Sequence, residues 1–81
     1  MEEMYFVYIL ECNDGSYYVG CTSDLRNRIN VHSNGDVHYT KDKLPVKLIT
    51  YIAFNDKIKA FQFEKYLKSG SGFAFRNRHL I

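Results

Sequence analysis

Apolar and aromatic residues crowd together near the start of the chain. Tyr5-Phe6-Val7-Tyr8-Ile9-Leu10 is rich in the β-branched and aromatic side chains that suit a pleated surface. Asn13-Asp14-Gly15 then supplies turn chemistry and Ser16-Tyr17-Tyr18-Val19-Gly20 resumes the strand pattern, which predicts a β-hairpin. If those three residues form the loop, with Gly15 left-handed, Cys12 faces Ser16, Tyr8 faces Gly20, and Tyr18 lies diagonal to Tyr8 on the same face. A two-residue loop would shift the parity and send the two tyrosines to opposite faces.

Ser23 or Asp24 can cap a helix from Leu25 to about Ser33, with Asn34-Gly35 as its stop. Gly35 to Pro45 reads as a polar loop. Val46 to Phe54 is a long run of β-formers, which predicts a strand covered on both faces and central in the sheet. Asn55-Asp56 caps a second helix to about Lys68, ended by Ser69-Gly70-Ser71-Gly72, and Phe73 to Ile81 reads as a short helical or irregular tail. The expected fold class is α+β, one small domain over residues 1–81. It has a three-stranded antiparallel sheet, made of the hairpin plus a central third strand, flanked by helices in the order β-β-α-β-α with a short C-terminal helical tail.

Composition narrows the function classes. At 81 residues, 46% hydrophobic and 25% charged, the chain has the balance of a globule with one core, not of a disordered tail or fibrous repeat. The longest apolar run, Met4 to Leu10, is far short of the roughly 20 residues of a membrane helix. No basic leader precedes it, so a cytoplasmic protein without a membrane partner is expected. Cys12 and Cys21 lack a Cys-x-x-Cys spacing, which argues for reduced thiols and against zinc. The net charge of +2 conceals an asymmetry: residues 1–20 carry four acids and no Lys or Arg, whereas the rest carries 11 cations against five acids, a net of +6. A basic body of this kind attracts nucleic-acid phosphates.

Two helices carry polar residues in apolar stripes. Leu25, Arg28, Ile29 and His32 share one face of the first, and Ala60, Phe63, Glu64 and Leu67 share one face of the second. A guanidinium beside a buried stripe is costly unless it meets an anion or opens into a cleft. Arg28 and Glu64 pairing across the helices, or each snorkelling from a stripe edge, is the plain structural alternative. His32 also suits a helix C-terminus, Tyr8 and Tyr18 suit ordinary strand packing, and Gly20 marks a bulge or a close approach. Taken together, two phenols, a guanidinium, an imidazole and a carboxylate near one sheet face suit phosphodiester hydrolysis.

These residues give the chain a resemblance to the GIY-YIG nuclease domain family, specifically its small stand-alone members. Phe6-Val7-Tyr8 stands at the first signature triplet and Tyr18-Val19-Gly20 at the second; Arg28 follows Gly20 by eight residues and His32 by twelve, and Ala60 to Glu64 resembles the metal-binding helix. Phe6 replaces the usual glycine, a packing change, and Cys21 stands where excision-repair members often carry lysine. The resemblance implies a one-metal DNA endonuclease leaving 5′-phosphate and 3′-hydroxyl ends, with a place in DNA repair or recombination. Glu64 would hold Mg²⁺ or Mn²⁺, Arg28 would bind the phosphate oxygens, Tyr8 or Tyr18 would orient or deprotonate water with His32 alongside, and Gly20 would be structural. Tyr39, Lys41, Lys43, Arg76 and Arg78 are candidate contacts to DNA, which would be single-stranded, branched or damaged duplex. So small a module leaves sequence specificity to a homodimer, to substrate shape or to a larger protein partner. The alternative is a catalytically inactive nucleic-acid-binding adaptor on the same scaffold.

Overall fold

Turn chemistry sets the hairpin register. In the computed structural model, which describes residues 3 to 81, β1 (Tyr5–Glu11) pairs antiparallel with β2 (Tyr17–Thr22). Glu2, part of the acidic first segment, lies outside the described residues. Gly15 has φ +85°, a left-handed conformation that a Cβ disfavours. The Cys12 N–H donates to the Ser16 carbonyl at 2.8 Å and the Gly15 N–H to the Cys12 carbonyl at 3.0 Å. The loop therefore has three residues, Tyr8 pairs with Gly20, and the expected parity holds.

The third strand, β3 (Lys47–Phe54), pairs antiparallel with the other side of β1, so the sheet order is β2-β1-β3. This corrects the central position expected for that strand: β3 is an edge, and β1 is central. Burial separates the two. Val7, Tyr8, Ile9 and Leu10 are all buried, while Tyr51 in β3 is 53% exposed. Both strands read as continuous apolar and aromatic runs. Only the path of the chain between β2 and β3 decides which of them gains a neighbour on each side.

The first helix, α1 (Leu25–Ser33), begins where the Asp24 carboxylate accepts the Asn27 N–H at 3.1 Å. The second, α2 (Lys57–Leu67), begins where Asp56 accepts from the Ile58 and Lys59 N–H groups at 2.9 and 3.2 Å. Ala60 and Leu67 of α2 bury Val7, Ile9 and Val19 on one face of the sheet. Each fully buried Val, Ile or Leu there contributes about 1.5–3 kcal/mol. Tyr8 and Leu10 alternate to the opposite face, and His32 and Thr40 are likewise fully buried. Phe6, at the departure from the first triplet, meets the Tyr51 ring edge-on at a centroid distance of 6.0 Å, a packing role.

The stop expected at Ser69 to Gly72 does end α2, at Leu67, but the helix that follows begins earlier than the Phe73 expected. A third helix, α3 (Gly70–His79), starts inside that run, with Ser69 at its N-cap. Tertiary packing overrides the helix-breaking tendency of glycine, because a Cβ at Gly72 would overlap the backbone carbonyl of Tyr66 in α2. Propensity alone makes Gly72→Ala stabilising by about 1 kcal/mol. The close approach reverses the sign, and urea unfolding is expected to show a loss of about 1–3 kcal/mol.

Candidate active site

Register and alternation put Tyr8 and Tyr18 on one face, with ring centroids 6.2 Å apart. The glycine opposite Tyr8 is needed: a Cβ on Gly20 would collide with the phenol end of the Tyr8 ring. That ring is buried and cannot swing aside freely. Gly20→Ala is therefore expected to lower stability by about 1–3 kcal/mol in denaturant titrations.

The Tyr8 hydroxyl lies 3.0 Å from His32 Nε2, and His32 Nδ1 lies 2.8 Å from Thr40 Oγ1, all three residues being fully buried. Burial, with the nearby Arg28 charge adding to it, holds the His32 pKa below its ordinary value, so the ring is neutral at pH 7. Burial pushes the Tyr8 phenol up to about 12; Arg28 opposes this rise, and Tyr18 and Glu64 add to it. A protonated phenol beside a guanidinium, which has only donors, is well placed to give its hydrogen to Nε2, and this assignment satisfies the whole group. Nδ1 then carries the ring proton and donates it to Thr40 Oγ1. The structure thus holds a hydrogen-bonded chain of Tyr8, His32 and Thr40, and in this assignment it runs from Tyr8 to Thr40. His32 does sit in the last turn of α1, and it is buried there between two hydroxyls.

Thr40 was invisible in the sequence. A threonine in a polar loop carries no local signal, and only the demand of a buried imidazole for two partners points to it. The loop itself is shaped by turns, with the Thr40 and Lys41 N–H groups both donating to the Val37 carbonyl at 3.1 and 2.9 Å. It is fastened to the hairpin by Asn13 N–H donating to the Lys43 carbonyl at 2.8 Å.

Arg28 projects from α1 toward the phenols, and its interaction with Tyr8 raises the guanidinium pKa against the opposing effect of burial, with Tyr18 adding to the rise. Glu64 does not pair with Arg28. Its Oε2 takes the Lys68 ammonium at 3.1 Å, one helical turn on, with the carboxylate side chain 21% exposed. Burial is the main cause that raises both Tyr8 and Cys21, and Glu64 lies close enough for its charge to add to each. No group of three His, Cys, Asp or Glu residues able to hold a metal occurs among the described residues. The partly exposed Glu64 carboxylate still fits Mg²⁺, which dehydrates reluctantly and keeps most of its waters.

Of the outer candidates, Tyr39 packs on Tyr18 at a centroid distance of 5.4 Å, and Tyr18 in turn packs on His32 at 4.8 Å. Lys43 Nζ lies 3.8 Å from the Tyr39 ring centroid. Lys41 and Arg78 are exposed, whereas Arg76 is buried against the rings of Tyr17 and Phe73. The structure therefore gathers Tyr8, Tyr18, Gly20, Arg28 and His32, sets Glu64 within reach of their charges, and extends the cluster through Tyr39 and Lys43.

A family model described as the GIY-YIG catalytic domain matches residues 4–77. A UPF0213 protein of Streptococcus pneumoniae is 45% identical over 69 residues, spanning 84% of this chain and 70% of the relative. The UPF0213 protein YazA of Bacillus subtilis is 42% identical over 65 residues, spanning 79% and 66%, and a UPF0213 protein of Halobacterium salinarum is 39% identical over 66 residues, spanning 80% and 86%. The solution NMR structure of the UPF0213 protein BH0048 from Bacillus halodurans, 41% identical, superposes with a TM-score of 0.53 over 80% of this chain and 70% of that one. With the two tyrosine triplets, Arg28, His32 and Glu64 all in place on this fold, the chain belongs to the GIY-YIG family.

Proposed function

We propose that the protein is a divalent-metal-dependent endonuclease that hydrolyses DNA phosphodiester bonds to 5′-phosphate and 3′-hydroxyl ends. The observation that carries this reading is the hydrogen-bonded chain of Tyr8, His32 and Thr40 beside Arg28. The guanidinium of Arg28 supplies forked donors for the nonbridging phosphate oxygens, where negative charge accumulates. Tyr8 or Tyr18 orients the attacking water. Tyr8 is the phenol joined to His32: when its oxygen takes a proton from the water, its phenolic proton passes to His32 Nε2. Thr40 keeps Nδ1–H engaged, so the acceptor nitrogen faces the phenol throughout. The phenol need not ionise beforehand, which a pKa of about 12 would make rare at pH 7. Tyr18 packs between His32 and Tyr39 and holds the imidazole edge.

Glu64 would hold Mg²⁺ or Mn²⁺ through its carboxylate, and the ion would stabilise the charge on the leaving 3′ oxygen. Single-stranded, branched and damaged duplex DNA are the substrates this reading favours, with repair or recombination as the setting. Incubation of the purified chain with Mg²⁺ and each of these DNA forms tests it. Cleavage of at least one, absent from a Glu64→Ala control, supports the enzyme. Salt-sensitive binding of all three without any metal-dependent product would instead establish the inactive adaptor.

A further inference from the structure

Next to Tyr18, at the β2 edge of the sheet, a cavity of about 330 Å³ opens between Tyr17, Tyr18, Tyr39, Lys68, Phe73 and Arg76. Its size falls in the range of about 300–1,000 Å³ that small-molecule sites occupy. Two of its rings are half-exposed, Tyr39 and Phe73 at 48% and 49%, with Lys43 over the first and Arg76 over the second. Arg76 is the opposite case. It is only 9% exposed, yet no carboxylate pairs with it among the described residues. Its guanidinium carbon lies 4.3 Å from the Phe73 ring centroid and 5.4 Å from that of Tyr17. Its Nε and Nη2 share one acceptor, Asn77 Oδ1, at 3.2 and 3.0 Å. A guanidinium buried away from any anion is costly, and two rings and one amide oxygen offset that cost only in part.

Lys43 adds positive charge at the Tyr39 ring, and Lys68, paired with Glu64, lines the same cavity. Half-exposed aromatic faces among cations, with one wall shared with the Tyr8–His32 cluster, match an unpaired base carried on a phosphodiester strand. The rings can stack the base. Arg76 can donate to a base carbonyl or to the adjoining phosphate.

We infer that this cavity is a base-binding subsite, holding one unpaired nucleobase of the substrate strand beside the phosphate bound by Arg28. Its place next to a scissile phosphate rests on the nuclease reading; its stacking chemistry does not. Tyr39 and Arg76, which the sequence alone offered as DNA contacts of unspecified kind, become base contacts.

The test compares the full chain binding two fluorescent strands of equal length, oligothymidine and its fully abasic counterpart, without added divalent metal. Both carry the same phosphates, so their affinity ratio reports the bases alone. The wild-type protein is expected to prefer oligothymidine about tenfold, the effect of one stacked base. Tyr39→Ala and Phe73→Ala, both at half-exposed positions, should reduce that preference to about twofold or less while affinity for the abasic strand is retained; Tyr39→Phe should keep it. Equal wild-type affinity for the two strands, or a full preference surviving in the Tyr39→Ala/Phe73→Ala double variant, overturns the subsite. Cleavage of oligothymidine in Mg²⁺ is scored separately. No cleavage with the ring-dependent preference intact overturns the nuclease reading and leaves the subsite standing, and cleavage without the preference does the reverse.

Discussion

The Glu64→Ala protein is expected to fold normally and to lose at least about 10³-fold in Mg²⁺-dependent cleavage. Two magnitudes of different size make this a sharp expectation. The Glu64–Lys68 pair is a half-exposed contact one helical turn apart, worth about 0.3–0.5 kcal/mol, so its loss barely touches stability. A metal at the phosphate supplies several kcal/mol of transition-state stabilisation, and each 1.36 kcal/mol is tenfold in rate. Single-turnover cleavage across a Mg²⁺ series, with urea unfolding of the same preparations, separates the two effects. A variant as fast as wild type at every Mg²⁺ concentration removes Glu64 from the metal site.

His32→Ala is expected to slow cleavage by about 10²–10⁴-fold at pH 8, the range for losing a proton acceptor. The same residue should leave its mark on pH dependence. Protonation of Nε2 removes the acceptor for the Tyr8 proton, so the wild-type rate falls as the solution becomes acidic. Because burial and Arg28 lower the His32 pKa, the midpoint of that fall lies below the ordinary value of about 6.5. The variant should lack this acid limb altogether. Stability follows the same direction. The unfolded chain takes up a proton at His32 at a higher pH than the folded protein does, so stability is lost as pH drops below about 6.5. Tyr8 acts at the other extreme: its folded pKa is raised to about 12, so its contribution is complete below about pH 10 and is lost as pH climbs toward 12. Rate profiles and denaturant titrations between pH 5 and 8 check the acid side. An unchanged acid limb in His32→Ala would assign it to another group.

Much of the fold was legible because the signals were local. Asn13-Asp14-Gly15 determined loop length, hence parity, hence the shared face of Tyr8 and Tyr18. Asp24 and Asp56 start their helices by a bond that spans three residues or fewer. What was not legible depended on distant partners. Nothing in two similar apolar runs says that β1, not β3, has two neighbours. The glycines at 70 and 72 rightly read as the end of α2 but hid the start of α3, because the carbonyl of Tyr66 that excludes a side chain at 72 comes from another helix. In the candidate site, stripe positions pointed to Arg28, His32 and Glu64, yet their partners differ from the simplest pairing. Arg28 meets phenols and Glu64 meets Lys68, while His32 meets a threonine supplied by a loop without periodicity.

The bond between Asn13 and Lys43 makes the hairpin tip and the Thr40-bearing loop one mechanical unit. Sequence change in either segment is then constrained by the other. An extra residue between Thr40 and Lys43 would pull the hydroxyl from His32 or tear the loop from the turn, whereas one inserted before Val37 or after Lys43 leaves both attachments intact. Tolerance to insertion along this nominally irregular stretch is accordingly uneven, and the permissive points lie at its two ends.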